Sequence, residues 1–444
     1  METAIDPRMT PGSVAAQRDL AAALTVFHNR RGDPFGLLLA RVAEEPDFLF
    51  GHLYLGAGLT LSSERRFRAL GHAHLQQAAA LATSDHPREY ALSQALAPLL
   101  QDDWAGAGHA LDLYLADFPA DAFALQTGQM IDFFRGDAIN LRNRIARALP
   151  AWDSGMPYYS HVLAMHAFGL EECHEYAAAE ATAAAALDIE PLDGWAVHVI
   201  AHVMEMQGRT DEGIDWLTGC FDQWAASDPP VGFACHNAWH LALMHLDRED
   251  DSACLEVLDR WITPGIGDFA YGLADVTALL ARLTLFDVDV GSRFETNARG
   301  WLDKLNTEAG YYAFNDFHAA LAFAGTGRAE ALDELVRAAR EATRGSGISA
   351  STAAVGLPLL EAVQDRAAGR HAEAAARLIG LRDQVHAFGG SHAQRDLVTL
   401  LLIDSCARAG ERSRARHWLN ERLLRRPESG IGRRLRAMID RSGH

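Results

Sequence analysis

Cysteine is scarce in this chain of 444 residues: there are five, and no two form a Cys-x-x-Cys pair. An odd, scattered set (Cys173, Cys220, Cys235, Cys254, Cys406) argues against a cysteine-built zinc module and fits a reducing compartment. Basic charge is also short. The 59 Asp and Glu against 40 Lys and Arg give a formal net charge of −19, which opposes phosphate backbones and anionic membrane surfaces. Neither a nucleic acid nor a membrane is therefore expected as a partner, although arginines gather between Arg422 and Arg436. No apolar run approaches the roughly 20 residues that a membrane span requires. Residues 1–8 lack the basic start and apolar stretch of an export signal, so the expected location is cytoplasmic. Strand signals are missing too: no sustained alternation of β-branched and polar residues is bounded by an Asn-Gly or Asp-Gly turn. With no Gly-x-Gly-x-x-Gly after a strand and no phosphate-loop Gly-Lys-Ser/Thr, no cofactor is evident.

What is present is helical pattern, throughout. Hydrophobic content of 49% with 22% charged residues suits a folded chain with a sizeable core. Residues 1–14, with Pro7, Pro11 and Gly12, read as a flexible arm, and residues 15–444 as one domain that starts with a helix near Val14 to His28. Alanine precedes proline by twelve residues three times, as Ala107 and Pro119, Ala179 and Pro191, Ala415 and Pro427. In a tetratricopeptide-type unit that alanine marks the close approach of two antiparallel helices, and the proline ends the second. Gly208, Gly327, Gly369 and Gly410 precede charged helix starts. First helices of successive units are expected near 47–61, 86–101, 120–135, 157–172, 194–207, 233–247, 268–285, 311–325, 353–368 and 391–409. The predicted fold class is all-α: an α-solenoid of tetratricopeptide-like hairpins, curled into a superhelix with a concave groove.

First helices line the groove of such a solenoid, and the unusual polar residues fall on them. In residues 195–205, His198, His202 and Glu205 share one helix face. His236 and His240 repeat the device 38 residues later. Asp275 and Asn315 continue the first row, with His161 ahead of it, and His166 and His318 extend the second. Paired histidines near carboxylates suit acid–base work, because imidazole titrates near neutrality and a carboxylate tunes it. They are also compatible with a metal: His-x-x-x-His can share an ion, and Glu205 or Asp275 could add an oxygen. The zinc-protease order His-Glu-x-x-His is absent, and a divalent metal such as zinc is the less favoured reading. Asn237, Asn315, His318 and Arg395 are candidates to position a substrate, with Tyr158 and Trp239 among the aromatic walls. Cys235 adjoins His236, but neighbouring helix positions point about 100° apart, so a structural thiol is the expectation. Ser391 and Gln394 fit a capping box.

These motifs resemble the tetratricopeptide repeat protein 38 family. The resemblance rests on Ala-Phe-Gly-Leu-Glu-Glu (167–172), Trp-Ala-Val-His-Val-Ile-Ala-His-Val-Met-Glu-Met (195–206) and Ala-Cys-His-Asn-Ala-Trp-His (234–240). It continues in Phe-Asn-Asp-Phe-His (314–318), Val-Gly-Leu-Pro-Leu (355–359) and Gly-Gly-Ser-His-Ala-Gln-Arg-Asp (389–396). It implies a tetratricopeptide-like fold and carries no settled activity. The leading functional reading is an enzyme of hydrolase, lyase or isomerase type acting on a small molecule, with His198, His202, His236, His240, Asp275 and Glu205 as catalytic or ligand residues. The alternative is an interaction scaffold that holds a peptide or partner protein in the groove; a homodimer is left open.

Overall fold

In a computed structural model of the chain, the described residues are 12–29, 32–227, 230–343, 348 and 351–441. Among them all regular structure is helical, with 24 α-helices, short 3₁₀ and π turns, and no strand. The first helix is Val14–Asn29. Residues 1–11 of the expected arm lie outside the described residues. The ten expected first helices correspond to Leu49–Thr60, Pro87–Leu96, Ala122–Phe134, Tyr159–Glu172, Gly194–Gln207, Phe233–Asp247, Ala270–Leu285, Ala313–Gly325, Leu357–Ala367 and His392–Arg408. Most pack against the helix that follows, as Leu49–Thr60 does on Arg65–Leu81 and Tyr159–Glu172 on Tyr176–Ile189.

The punctuation residues act as their chemistry requires. Ala107, Ala179 and Ala415 are fully buried, as a close helix approach demands. Pro119, Pro191 and Pro427 each stand two residues beyond a helix end, at Asp117, Ile189 and Arg425. Gly208 sits at φ +71, with its N–H donating to the Glu205 carbonyl and the Arg209 N–H to that of Met204. This is the Schellman closure, which glycine adopts without steric cost. Ser391 and Gln394 form the capping box, the side chain of each accepting from the backbone N–H of the other.

Burial divides the helices into two kinds. Leu49–Thr60 is buried at every position, and Phe233–Asp247 from Ala234 to Met244. Ala329–Ala342 instead buries only Leu332, Leu335, Val336 and Ala339, one stripe at helical spacing. A helix apolar all round belongs inside, whereas an amphipathic one covers it. Any polar side chain on the first kind is therefore forced into the interior.

The contacts group the chain into two compact units, Met1–Ile200 with Ser346–Ile348, and Ala201–Gly345 with Ser349–His444. The first holds a buried ion pair: Arg144 donates to both carboxylate oxygens of Asp132, at 2.8 and 2.9 Å, and to the Gly108 carbonyl. In the second, Phe233–Asp247, Ala270–Leu285, Ala313–Gly325 and Leu357–Ala367 pack side by side in that order. Its C-terminal helices fold back onto this row, His392–Arg408 on Ala270–Leu285 and Gly430–Arg441 on Phe233–Asp247.

One contact in the first unit gives a direct test. A Cβ on Gly169 would stand 2.5 Å from the Arg142 backbone on the neighbouring Ala138–Ala148 helix. Backbone cannot step aside as a flexible side chain can, so Gly169→Ala must separate two packed helices. The expected cost is about 1–3 kcal/mol, read as a lower thermal midpoint; an unshifted midpoint would show that the helices are not held at this spacing.

Candidate functional site

The second unit assembles a histidine–carboxylate cluster from three helices. Gly194–Gln207 crosses the unit boundary and contributes His202 and Glu205 beyond it. Phe233–Asp247 contributes His236 and His240, and Ala270–Leu285 contributes Asp275. Nδ1 of His236 lies 2.8 Å from Oδ2 of Asp275, and Nδ1 of His240 lies 2.8 Å from Oε2 of Glu205. An ionised carboxylate can only accept, so each Nδ1 carries the proton and each Nε2 is the basic nitrogen. The rings converge. His202 and His240 have centroids 4.3 Å apart, and His236 meets His240 edge-on at 4.9 Å. One ligand atom from each of His202, His236 and His240 lies within 4.8 Å of the other two, a cluster that could hold a metal ion.

Burial makes the cluster rigid and electrically distinctive. His202 and His240 are fully buried, and His236 is 9% exposed. The His236 ring stacks on Trp239 at 5.2 Å with 11° between planes, and the Arg282 guanidinium stands 5.5 Å above Trp239. Burial pushes His240 well below the ordinary histidine value, and the neighbouring His202, His236, Arg282 and Arg426 push it the same way. It is accordingly neutral.

A chain of ion pairs backs the cluster. Glu205 turns its second oxygen to Arg426 Nη2 at 3.3 Å. Arg426 also approaches Asp396 at 3.8 Å, and Arg422 grips Asp396 through Nε and Nη2 at 3.0 and 2.9 Å. Burial alone would raise Asp396, but Arg422, Arg426 and Arg282 outweigh it and hold the carboxyl well below its usual range. Arg282 donates to the Ala278 and Ala393 carbonyls, and burial lowers it to about 10 against the opposing pull of Asp396 and Glu205. Glu205, Asp247, Arg282, Asp396 and Arg426 line a small cavity with room for roughly a single water.

The remaining sequence-predicted residues lie on several helices. His198 lies one turn before His202 on the same helix, within the first unit, its ring stacked on Trp195 at 4.9 Å. Tyr158 also belongs to the first unit, 4.7 Å from the ring of His28, beside a further dyad in which His161 Nδ1 meets Asp193 Oδ2 at 2.8 Å. His166 is half-buried there. Asn237 is fully buried on the His236 helix. Asn315 is buried on Ala313–Gly325, where His318 donates from Nδ1 to the Phe314 carbonyl at 2.8 Å and packs between Phe314 and Phe317. Arg395 donates to the Gly390 carbonyl and lies 3.3 Å from His392 Nδ1, so it braces its own turn. Cys235 is buried near the Pro230 carbonyl, and burial pushes its thiol up to about 12, in keeping with a structural role.

Sequence reasoning missed Arg282, Asp396, Arg422 and Arg426 as neighbours of the site. The cluster of arginines toward the C-terminus was visible, but its members meet acids far away in sequence: Arg426 with Glu205, Arg433 with Glu249, Arg434 with Asp251. The run is thus substantially neutralised by its own fold. No helix among the described residues is long and apolar enough to cross a membrane. These features define an all-helical protein with a buried histidine–carboxylate cluster able to hold a metal. No protein-family model matches the chain.

Two measurements follow from the electrostatics. Asp396→Asn would leave buried guanidiniums short of one countercharge, and the expected loss is about 3 kcal/mol or more, read by urea unfolding; a loss under about 1 kcal/mol would contradict the pairing. His318 gives a pH dependence. Burial, outweighing its hydrogen bond to Phe314, lowers it to about 4 from 6.5. As acid is added the unfolded chain is protonated first, so this contribution is complete above pH 6.5, is lost between 6.5 and 4, and is constant below. Its size is of order 3 kcal/mol. In His318→Gln the fall in stability between about pH 7 and about pH 4.5 should shrink by an amount of that order; an undiminished fall would count against it.

Proposed function

We propose that this protein is an enzyme acting on a small molecule, of hydrolase, lyase or isomerase type, with its reactive centre at His202, His236 and His240. The observation that supports this most is the pair of adjacent dyads, His236–Asp275 and His240–Glu205, each with its proton held on Nδ1 and its Nε2 basic. A nitrogen prepared in this way takes a proton or binds an electrophile, and both serve to activate water or a substrate. Asp275 and Glu205 fix the tautomers, and Arg426 steadies Glu205. Among the substrate-positioning residues expected from sequence, Trp239 stacks against His236. The cavity beside Glu205, with room for roughly one water, is far too small for a peptide.

The motifs quoted above also support placing the chain beside the tetratricopeptide repeat protein 38 family, and the stacked helix pairs are read as a tetratricopeptide-like solenoid. The expected location is the cytoplasm. Untagged protein incubated with a mixed metabolite extract and followed by mass spectrometry tests the activity. At least one small molecule should be consumed by the wild type and about 100-fold or more slowly by His202→Ala or His240→Gln, both retaining the helical circular-dichroism signal. Identical metabolite profiles for the three proteins would overturn the reading.

A further inference from the structure

A divalent cation requires several nitrogen or oxygen donors aimed at one point, and an imidazole aims well only when its other nitrogen is tied down. Two of the three converging rings in the second unit have that tie. We propose that His202, His236 and His240 form a three-histidine site for a zinc-class divalent cation, with Asp275 and Glu205 as the carboxylates that orient His236 and His240. The inference deepens the enzyme reading above and rests on the same residues, but it concerns binding and stands or falls separately.

Geometry carries it first. Three ligand atoms already lie within 4.8 Å of one another. Tetrahedral zinc–nitrogen bonds of about 2.0–2.1 Å set two ligand atoms of one ion about 3.3–3.4 Å apart, so the rings need to close by roughly 1.5 Å or less. The hydrogen bonds point the same way. Metal-bound histidines characteristically donate their second nitrogen to a carboxylate or carbonyl, and here Nδ1 meets a carboxylate in both dyads, so that Nε2 is the nitrogen that would face the ion. The mounts are rigid as well: Arg426 holds Glu205, Trp239 backs His236, and the Phe233–Asp247 helix is buried along nearly its whole length.

Donor type selects the ion. Imidazole nitrogens suit zinc, copper, nickel or iron, whereas magnesium and calcium demand oxygen ligands. Asp275 and Glu205 place two carboxylates one ring away from the ion. Zinc held by three histidines and a water lowers the pKa of that water to about 7. That is the chemistry the ion would bring to the proposed enzyme.

The test uses the full-length chain without a histidine tag, stripped by chelator, dialysed against Zn²⁺ and analysed for metal. About one zinc per chain is expected, with no uptake of Mg²⁺ or Ca²⁺ in parallel dialysis, and a Co²⁺-loaded sample should show the visible absorption of a low-coordinate site. His236→Ala and His240→Ala should lose stoichiometric zinc. Should either unfold, the isosteric Asp275→Asn and Glu205→Gln decide, each weakening zinc about 10–100-fold in competition with a chelator of known affinity. Absence of zinc uptake by the wild type, or full uptake by the histidine variants, overturns the site. Zinc bound without any histidine-dependent turnover supports the metal and refutes only the enzyme; histidine-dependent turnover in a chain that binds no zinc does the reverse.

Discussion

The structure depends on how buried charge is handled on helices that have no solvent face. A helix buried all round must satisfy every polar group it carries within the protein, since an unpaired buried ion costs several kcal/mol. On Phe233–Asp247 and its neighbours the solution is a short hydrogen bond between imidazole and carboxylate, at 2.8 Å in both dyads. Each carboxylate is then stabilised without a full countercharge on the ring, because the N–H dipole suffices in a medium of low dielectric. The arginines extend the scheme outward through Arg426, Asp396 and Arg422 to Ser429 and Asp247, toward the surface of the unit.

The same solution recurs where the helical pattern recurs. His161 meets Asp193 in the first unit at the distance at which His236 meets Asp275 in the second. Asp193 is also the cap of the next helix, accepting from the N–H groups of Trp195 and Ala196 with its other oxygen. One residue thus fixes a ring and a helix start together, which ties the imidazole to backbone geometry rather than to a mobile side chain. Arg144 with Asp132 shows a different answer in the same unit: a full ion pair with bidentate geometry. Of these arrangements only the cluster in the second unit combines fixed tautomers with three converging ring nitrogens, which is why the chemistry is assigned there.

Much of this was legible from residue order. Helix starts and stops depend on neighbours within a turn or two, so Gly208, Ser391, Gln394 and the alanine–proline pairs could be read directly, and the spacing of the first helices followed from them. The histidines and carboxylates of the cluster were legible too, because helical periodicity places His202 with Glu205 and His236 with His240. Which acid serves which ring was not legible. His240 takes Glu205 from the preceding first helix, whereas His236 takes Asp275 from the following one, a choice made by side-chain reach across packed helices.

Residue order by itself therefore determined the helical class, the positions of the helices and the membership of the histidine set, since all three follow from interactions between residues close along the chain. Tertiary structure alone decided the proton positions on the rings, the burial that keeps His240 neutral and the arrival of Arg426 at Glu205 from 221 residues away. Those depend on contacts whose sequence separation has no periodic signature, and on a local dielectric that exists only after the helices have packed.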